Sequence, residues 1–205
     1  MQSSIDDGYI KYVSECRDGE VSWSQSLEAL NRSRTDLFDL GHIGVYPNGV
    51  GFGNLSVRTV GSQFVITGSA TGSSRVLQHA QFSLVESFSI ANNTVKSRGT
   101  LHASSESMTH GAIYLSHPGV HCVIHIHSRL LFDTLLLQGY PATAANIPYG
   151  TPAMAHAVQQ LVLAQPSMPA AFVMAGHDEG VMAYGTDVRS VHALLVGLFQ
   201  GAQEA

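Results

Sequence analysis

The stretch Val120-His121-Cys122-Val123-Ile124-His125-Ile126-His127 sets the strongest limit on what this chain can fold into. Valine and isoleucine dominate it, and such β-branched residues favour a pleated strand over a helix. Alternation puts His121, Val123, His125 and His127 on one face, and Cys122, Ile124 and Ile126 on the other. Imidazoles one residue apart on a strand have Cα atoms roughly 6.6 Å apart, a span two rings can close onto one cation. His121 lies roughly 13 Å from His125, too far to share that cation, and Cys122 points the wrong way. A lone histidine here would read as a hydrogen-bonded core residue. A pair at a strand end favours a metal.

Around this strand the periodicity predicts alternating strands and helices. A helix over Ser22 to Leu40 has Leu27, Leu30, Leu37 and Leu40 on one side and Gly41 as its stop. Pro47 to Gly53 reads as a turn-rich loop. Asn54 to Val57 and Gln63 to Thr67 read as strands around Gly61-Ser62, and Phe82 to Phe88 with Thr94 to Arg98 as a hairpin turning near Asn92-Asn93. A helix should start at Ser105 and end by His117-Pro118-Gly119. Ser128 to Gln138 is helical with Gly139 as its stop, and Thr151-Pro152 opens a helix through Leu163. Ala171 to Ala175 and Gly180 to Tyr184 pair around Gly176-His177-Asp178-Glu179, and a last helix is capped by Thr186. No repeat or linker interrupts this order, so residues 1–205 read as a single domain, an α/β or α+β sandwich.

Composition removes several classes of function. A net charge of −5, with no Lys/Arg cluster, argues against a nucleic-acid partner. Charged residues are only 12%, sparse enough to suggest that subunit contacts bury part of the surface. Cys16 and Cys122 are far apart without CxxC spacing, which suits a reducing cytoplasm. Met1 to Ile10 is polar and acidic, unlike a signal peptide, and no apolar run approaches the ~18 residues of a membrane helix. Lysine is nearly absent, only Lys11 and Lys96, both among polar neighbours, which argues against Schiff-base catalysis. Histidine is the outlier, with 11 residues, five of them between His110 and His127.

Two further places complete a candidate site. Ser104 and Ser105 precede a helical stretch, where free amides and hydroxyls form an anion-binding nest, and Glu106 in the first turn is favoured by the helix dipole. His110, one turn on, can support Glu106 or ligate. His177 stands in a tight loop between two apolar strands, with Asp178 and Glu179 as weaker alternatives. Glu106, His125, His127 and His177 make a four-ligand set suited to Zn2+ or another divalent transition metal. No G-x-S-x-G elbow, Walker loop or G-x-G-x-x-G is present, and the element order is wrong for a barrel amidohydrolase.

From about Leu27 to Leu198 the chain resembles the class II aldolase/adducin family. Gly53-Asn54-Leu55-Ser56-Val57-Arg58 is similar to the family's G-N-x-S-x-R segment. Ser104-Ser105-Glu106 through His110, Ile113-Tyr114 and Pro118 is similar to its S-S-E-x-x-x-H-x-x-I-Y pattern. His125-Ile126-His127-Ser128 is similar to H-x-H-S, and His177 falls at its late metal histidine. Thr67-Gly68-Ser69-Ala70-Thr71-Gly72 stands where members often have T-P-S-G or T-P-T-G. Adducins lack the metal ligands, whereas all four are present here.

The resemblance implies a three-layer α/β/α sandwich with a mixed, mostly antiparallel central sheet, and a homotetramer with sites at subunit boundaries. It implies zinc on Glu106, His125, His127 and His177. It implies that Asn54, the Ser69–Gly72 loop with Thr71, Ser104 and Ser105 cradle the phosphate of a small sugar or sugar-phosphate substrate. The activity implied is that of a metal-dependent aldolase-type lyase, which cleaves a C–C bond of a small ketose or sugar phosphate through a zinc-stabilised enediolate. Glu106 would be the base, and Tyr140 and Tyr149 the candidate proton donors. Epimerase, dehydratase and decarboxylase chemistry fit the same site, and a non-catalytic adducin-like module with a structural metal is the alternative outside enzymology.

Overall fold

The computed structural model describes residues 9–165 and 167–204, so most of the acidic Met1 to Ile10 segment lies outside the described residues. In chain order the elements are β1 (Val13–Arg17), α1 (Gln25–Asp39), β2 (Gly44–Val45), β3 (Gly51–Phe52), β4 (Asn54–Arg58) and β5 (Phe64–Thr67). A 3-10 turn at His79–Gln81 leads to β6 (Phe82–Ser89), β7 (Thr94–Arg98), α2 (Ser107–Ser116), β8 (Cys122–His127) and α3 (Arg129–Leu137). The chain ends with α4 (Pro152–Ala164), β9 (Ala170–Val173), β10 (Gly180–Gly185) and α5 (Val188–Gln203).

Among the described residues, eight strands form one sheet in the order β1-β7-β6-β5-β4-β8-β10-β9. β1 pairs with β7 in parallel, and every other neighbouring pair in this sheet is antiparallel. Two apolar layers cover it, sorted by the side-chain alternation of β8. Cys122, Ile124 and Ile126 pack in one cluster with Leu27, Leu30 and Leu37 of α1, Leu131 and Leu135 of α3, and Val191 and Leu195 of α5. Val123 packs on the opposite face with Met108, Ala112 and Ile113 of α2 and with Met154, Val158 and Val162 of α4. The result is a three-layer α/β/α sandwich with a mixed, mostly antiparallel sheet. All six residues of β8 are buried, between β4 and β10.

Local chemistry moved several expected boundaries. Helix α1 begins at Gln25, three residues later than Ser22, because the Ser24 side chain accepts from the Leu27 amide at 3.1 Å. The helix expected from Ser105 begins at Ser107, with Glu106 at its N-cap position. The last helix is capped by Asp187 rather than Thr186, since the Asp187 carboxylate accepts from the Ser190 amide at 2.9 Å. Thr186 instead donates its hydroxyl proton to that carboxylate at 3.2 Å. Within the Pro47 to Gly53 loop, Gly51–Phe52 pairs with Gly44–Val45 as a short hairpin. Strand β1 was not anticipated, because its charged Glu15 and Arg17 mask an edge strand.

Ile124 lies at the centre of the most buried strand, with no exposed surface. Ile124→Ala should therefore lower unfolding stability by about 2–5 kcal/mol in a urea titration. A midpoint equal to that of the parent protein would contradict this placement of the core.

Candidate metal centre

The site forms where β8 ends. In the sheet register His125 lies opposite Asn54 of β4 and Met182 of β10, and His127 lies opposite Gly180. His177 reaches the same place from the turn between β9 and β10, closed by the His177 amide to the Met174 carbonyl at 2.8 Å and the Gly180 amide to the His177 carbonyl at 2.9 Å. Gly180 makes the approach possible. A Cβ there would stand 2.8 Å from the His177 ring and 3.1 Å from the His125 ring.

The three Nε2 atoms form a triangle with sides of 3.0 Å (His125–His127), 3.0 Å (His127–His177) and 3.1 Å (His177–His125). All three residues are buried, and they form the metal-competent cluster found among the described residues. Burial pushes the His125 imidazole down to about 4. Burial, followed by the charge of His125, lowers His127 and His177 well below the ordinary imidazole value. The site is thus neutral near pH 7, the form in which imidazole binds metals.

Hydrogen bonding fixes where the ring protons lie. His125 Nδ1 lies 3.2 Å from the Val181 carbonyl, which can only accept, so its Nε2 presents a lone pair. His127 Nδ1 lies 2.8 Å from the Tyr46 hydroxyl, whose own proton goes to Glu179 Oε2 at 2.8 Å. His127 therefore donates from Nδ1, and its Nε2 also presents a lone pair. Two lone pairs facing each other at 3.0 Å repel, and a cation between them removes that repulsion. A tetrahedral centre with Zn–N bonds of about 2.0–2.1 Å needs nitrogens roughly 3.3 Å apart, within a few tenths of the triangle found here. The residues fit a divalent transition metal.

Glu106, expected as a fourth ligand, is not part of the three-histidine cluster; it stands at the N-cap position of α2, almost fully buried, with Oε2 accepting from the Thr109 hydroxyl at 2.6 Å. His110 supports a different neighbour. Its Nδ1 pairs with the Ser56 hydroxyl at 2.7 Å, which also meets the Tyr114 hydroxyl at 2.8 Å. His121 is exposed, and Cys122 lies in the opposite core, as strand geometry requires. Tyr149 stacks on His177 with ring centroids 4.4 Å apart, and Lys11 Nζ lies 3.8 Å above the Tyr149 ring. Lys11 thus has an aromatic neighbour, not only the polar ones its sequence context suggests. Tyr140 instead packs against the α1/α3/α5 core.

A cavity of about 300 Å³ gathers all six residues expected to hold substrate: Asn54, Ser69, Thr71, Gly72, Ser104 and Ser105. Asn54 joins it to the metal centre through its pairing with His125, and Phe52, also in its wall, has its ring 5.4 Å from that of His127. Asn54 Oδ1 is buried without a protein partner among the described residues. Gly72 is required by backbone proximity, since a Cβ there would fall 2.2 Å from the Gly44 carbonyl oxygen. Thr71 donates its hydroxyl proton to the Gly68 carbonyl at 2.8 Å. Behind the loop, the buried Arg34 guanidinium donates to the carbonyls of Thr71 at 2.9 Å, Ser74 at 2.6 Å and Arg75 at 3.1 Å. Desolvation lowers Arg34 to about 10, so it remains a cation at neutral pH. Sequence reasoning missed Arg34, Tyr46 and Phe52. Only the spacing of Arg34 from Leu30 and Leu37, which puts it on the leucine face of the helix, carried any signal.

Residues 48–203 match the model for the class II aldolase and adducin N-terminal domain, and the chain belongs to that family. Among solved structures, L-fuculose-1-phosphate aldolase from Thermus thermophilus superposes with a TM-score of 0.62 at 24% identity, covering 86% of this chain and 90% of that one. YgbL from Klebsiella pneumoniae, described as a candidate aldolase/epimerase/decarboxylase, gives 0.65 at 21% identity, covering 87% of each chain. YgbL from Escherichia coli, described in the same words, gives 0.63 at 19% identity, covering 86% of each. These likenesses show a shared fold. No curated protein sequence matches the chain.

The depressed imidazoles make stability depend on pH. His125 has a folded value near 4 against an ordinary 6.5, so between these values the unfolded chain binds more protons and stability rises with pH. The metal-free protein should therefore lose stability as pH falls from about 6.5 toward 4, with His125 alone contributing on the order of 3 kcal/mol. Urea unfolding after chelator treatment checks this between about pH 7 and 5, above most carboxylate titration. A flat profile there would contradict neutral burial of the histidines.

Proposed function

We propose that this chain is a metal-dependent aldolase-type lyase acting on a small ketose or sugar phosphate. The observation that carries the reading is a triangle of three buried imidazole nitrogens joined, through Asn54 and Phe52, to a hydroxyl-lined cavity. In this reading His125, His127, His177 and Glu106 hold Zn2+ or a similar divalent ion. When bound, that ion supplies Lewis-acid stabilisation of negative charge developing on a substrate carbonyl oxygen.

The remaining steps belong to the chain's own side chains. Ser69, Ser104, Ser105, the Gly72 backbone and the Asn54 amide offer donors to an anionic phosphate, while Thr71 shapes the loop. Arg34 adds positive charge behind it, favouring an anion without a contact from lysine. During cleavage a hydroxyl proton leaves, the adjacent C–C bond breaks to give an aldehyde, and the electron pair stays with the carbonyl-bearing fragment. That fragment then takes a proton at carbon. Glu106, oriented by Thr109, is assigned this transfer at carbon. Tyr149, the tyrosine whose ring adjoins His177, is assigned the proton of that hydroxyl, relaying it away as the aldehyde forms and returning it to the oxygen in the reverse condensation. Epimerisation, dehydration or decarboxylation would use the same metal-stabilised charge, so product identity separates them.

Residues 1–205 act as one domain in this proposal, and the protein works as a homotetramer in the cytoplasm. Support for assembly comes from Leu130, Leu136 and Leu137, which α3 leaves exposed. Two free thiols, Cys16 and Cys122, suit a reducing compartment. No helix among the described residues is long and apolar enough to cross a membrane.

The test is a product assay over ketose phosphates and sugar acids. Chelator-sensitive release of an aldehyde and a ketone fragment is expected, and Glu106→Gln should lower kcat by about 10²-fold or more with its melting temperature retained. Parent-like turnover in Glu106→Gln would remove Glu106 from the mechanism. An epimerised, dehydrated or decarboxylated product without cleavage would replace the aldolase assignment. No turnover and no metal uptake would leave an adducin-like module.

A further inference from the structure

Tyr46 and Glu179 lie outside the residues that resemble the family's ligand set, yet they form a hydrogen-bonded chain to one proposed ligand. Tyr46 follows β2 in the short hairpin, where its amide donates to the Val50 carbonyl at 2.8 Å and its carbonyl accepts from the Gly49 amide at 2.8 Å. Its ring packs on Phe52 with centroids 4.5 Å apart, which leaves the hydroxyl between His127 Nδ1 and Glu179 Oε2, each at 2.8 Å. Glu179 is held from three directions. Its backbone takes a φ of 63°, its carbonyl accepts from the Ser128 amide at 3.0 Å, and Oε1 lies 3.5 Å from Arg129 Nε. A left-handed backbone at a residue other than glycine is unfavourable and persists only where surrounding contacts impose it. The turn that presents His177 to the triangle therefore also presents the carboxylate that orients His127.

We propose that Glu179 and Tyr46 form a positioning relay for metal binding: the carboxylate accepts a hydrogen bond from the phenol, and the phenol oxygen accepts one from the Nδ1–H of His127. This keeps the Nε2 lone pair aimed into the triangle. The relay rests on the metal-centre reading above. Its chemistry follows a general rule, that a metal-binding imidazole is oriented and made more basic by the acceptor of its other N–H. The hairpin Gly44–Phe52 is thereby coupled to metal affinity, although it supplies no ligand. Tyr46→Phe removes both hydrogen bonds and keeps the ring that packs on Phe52. Glu179→Gln keeps one acceptor oxygen but removes the negative charge and its pairing with Arg129.

The experiment is a competition titration of Zn2+ against a chromogenic chelator on the full chain, with melting curves of the metal-free and zinc-loaded forms. Tyr46→Phe should bind zinc about 10–100-fold more weakly, with a metal-free melting temperature like the parent's and a smaller zinc-induced rise. Glu179→Gln should show a smaller loss in the same direction, and it carries the test alone if Tyr46→Phe does not fold. Cobalt-loaded Tyr46→Phe should also show an altered visible spectrum. Parent-like zinc affinity in both variants would overturn the relay and leave the metal centre standing. A lowered metal-free melting temperature with an unchanged zinc-induced rise would reduce Tyr46 to a structural staple. Failure of the parent chain itself to bind zinc would remove the metal centre and the relay together.

Discussion

The contact on which the rest depends is the approach of three neutral, buried imidazoles, Nε2 to Nε2, within 3.0–3.1 Å of one another. Two of them have Nδ1 committed to acceptors, so their remaining lone pairs point inward. Hydrophobic packing alone does not favour such an arrangement, because buried acceptors aimed at each other gain nothing from exclusion of water. A cation reverses the sign of that interaction. Burial acts in the same direction, since it disfavours the protonated rings that would compete with a metal.

The sheet supplies the precision. A strand buried on both faces sends Ile124 and Ile126 into one core and His125 and His127 to the other side, so the core packing that stabilises β8 also fixes the pitch of the histidine pair. Strand β10 brings Gly180 opposite His127, and the turn before it delivers His177. Strand β4 brings Asn54 opposite His125 and thus couples the metal centre to the cavity lined by Ser69, Gly72, Ser104 and Ser105. Stability and site geometry are carried by the same strands.

Much of this is legible in the sequence, for identifiable reasons. Period-two alternation placed the His125/His127 pair and removed His121 and Cys122, and helix-start signals brought Ser104, Ser105 and Glu106 to the N-terminus of α2, although the helix starts at Ser107 rather than Ser105. What remained hidden depends on contacts between residues distant in the chain. Tyr46 reaches Glu179 across 133 positions, and Arg34 reaches Thr71 across 37, with no local pattern announcing either. Edge strand β1 was hidden because its alternation places charged residues at a sheet border, where apolar periodicity is weak. The cap of α5 moved by one residue because the Asp187 carboxylate accepts from the Ser190 amide, while the Thr186 hydroxyl donates to that carboxylate.

Zinc K-edge X-ray absorption on the reconstituted protein tests the central claim most directly, because it reads the atoms around the metal without reference to any substrate. The account predicts one zinc per chain, with three imidazole nitrogens at about 2.0–2.1 Å, oxygen in the remaining positions and no sulfur. A zinc-free protein after reconstitution, or a spectrum requiring thiolate or fewer than three imidazoles, would contradict it.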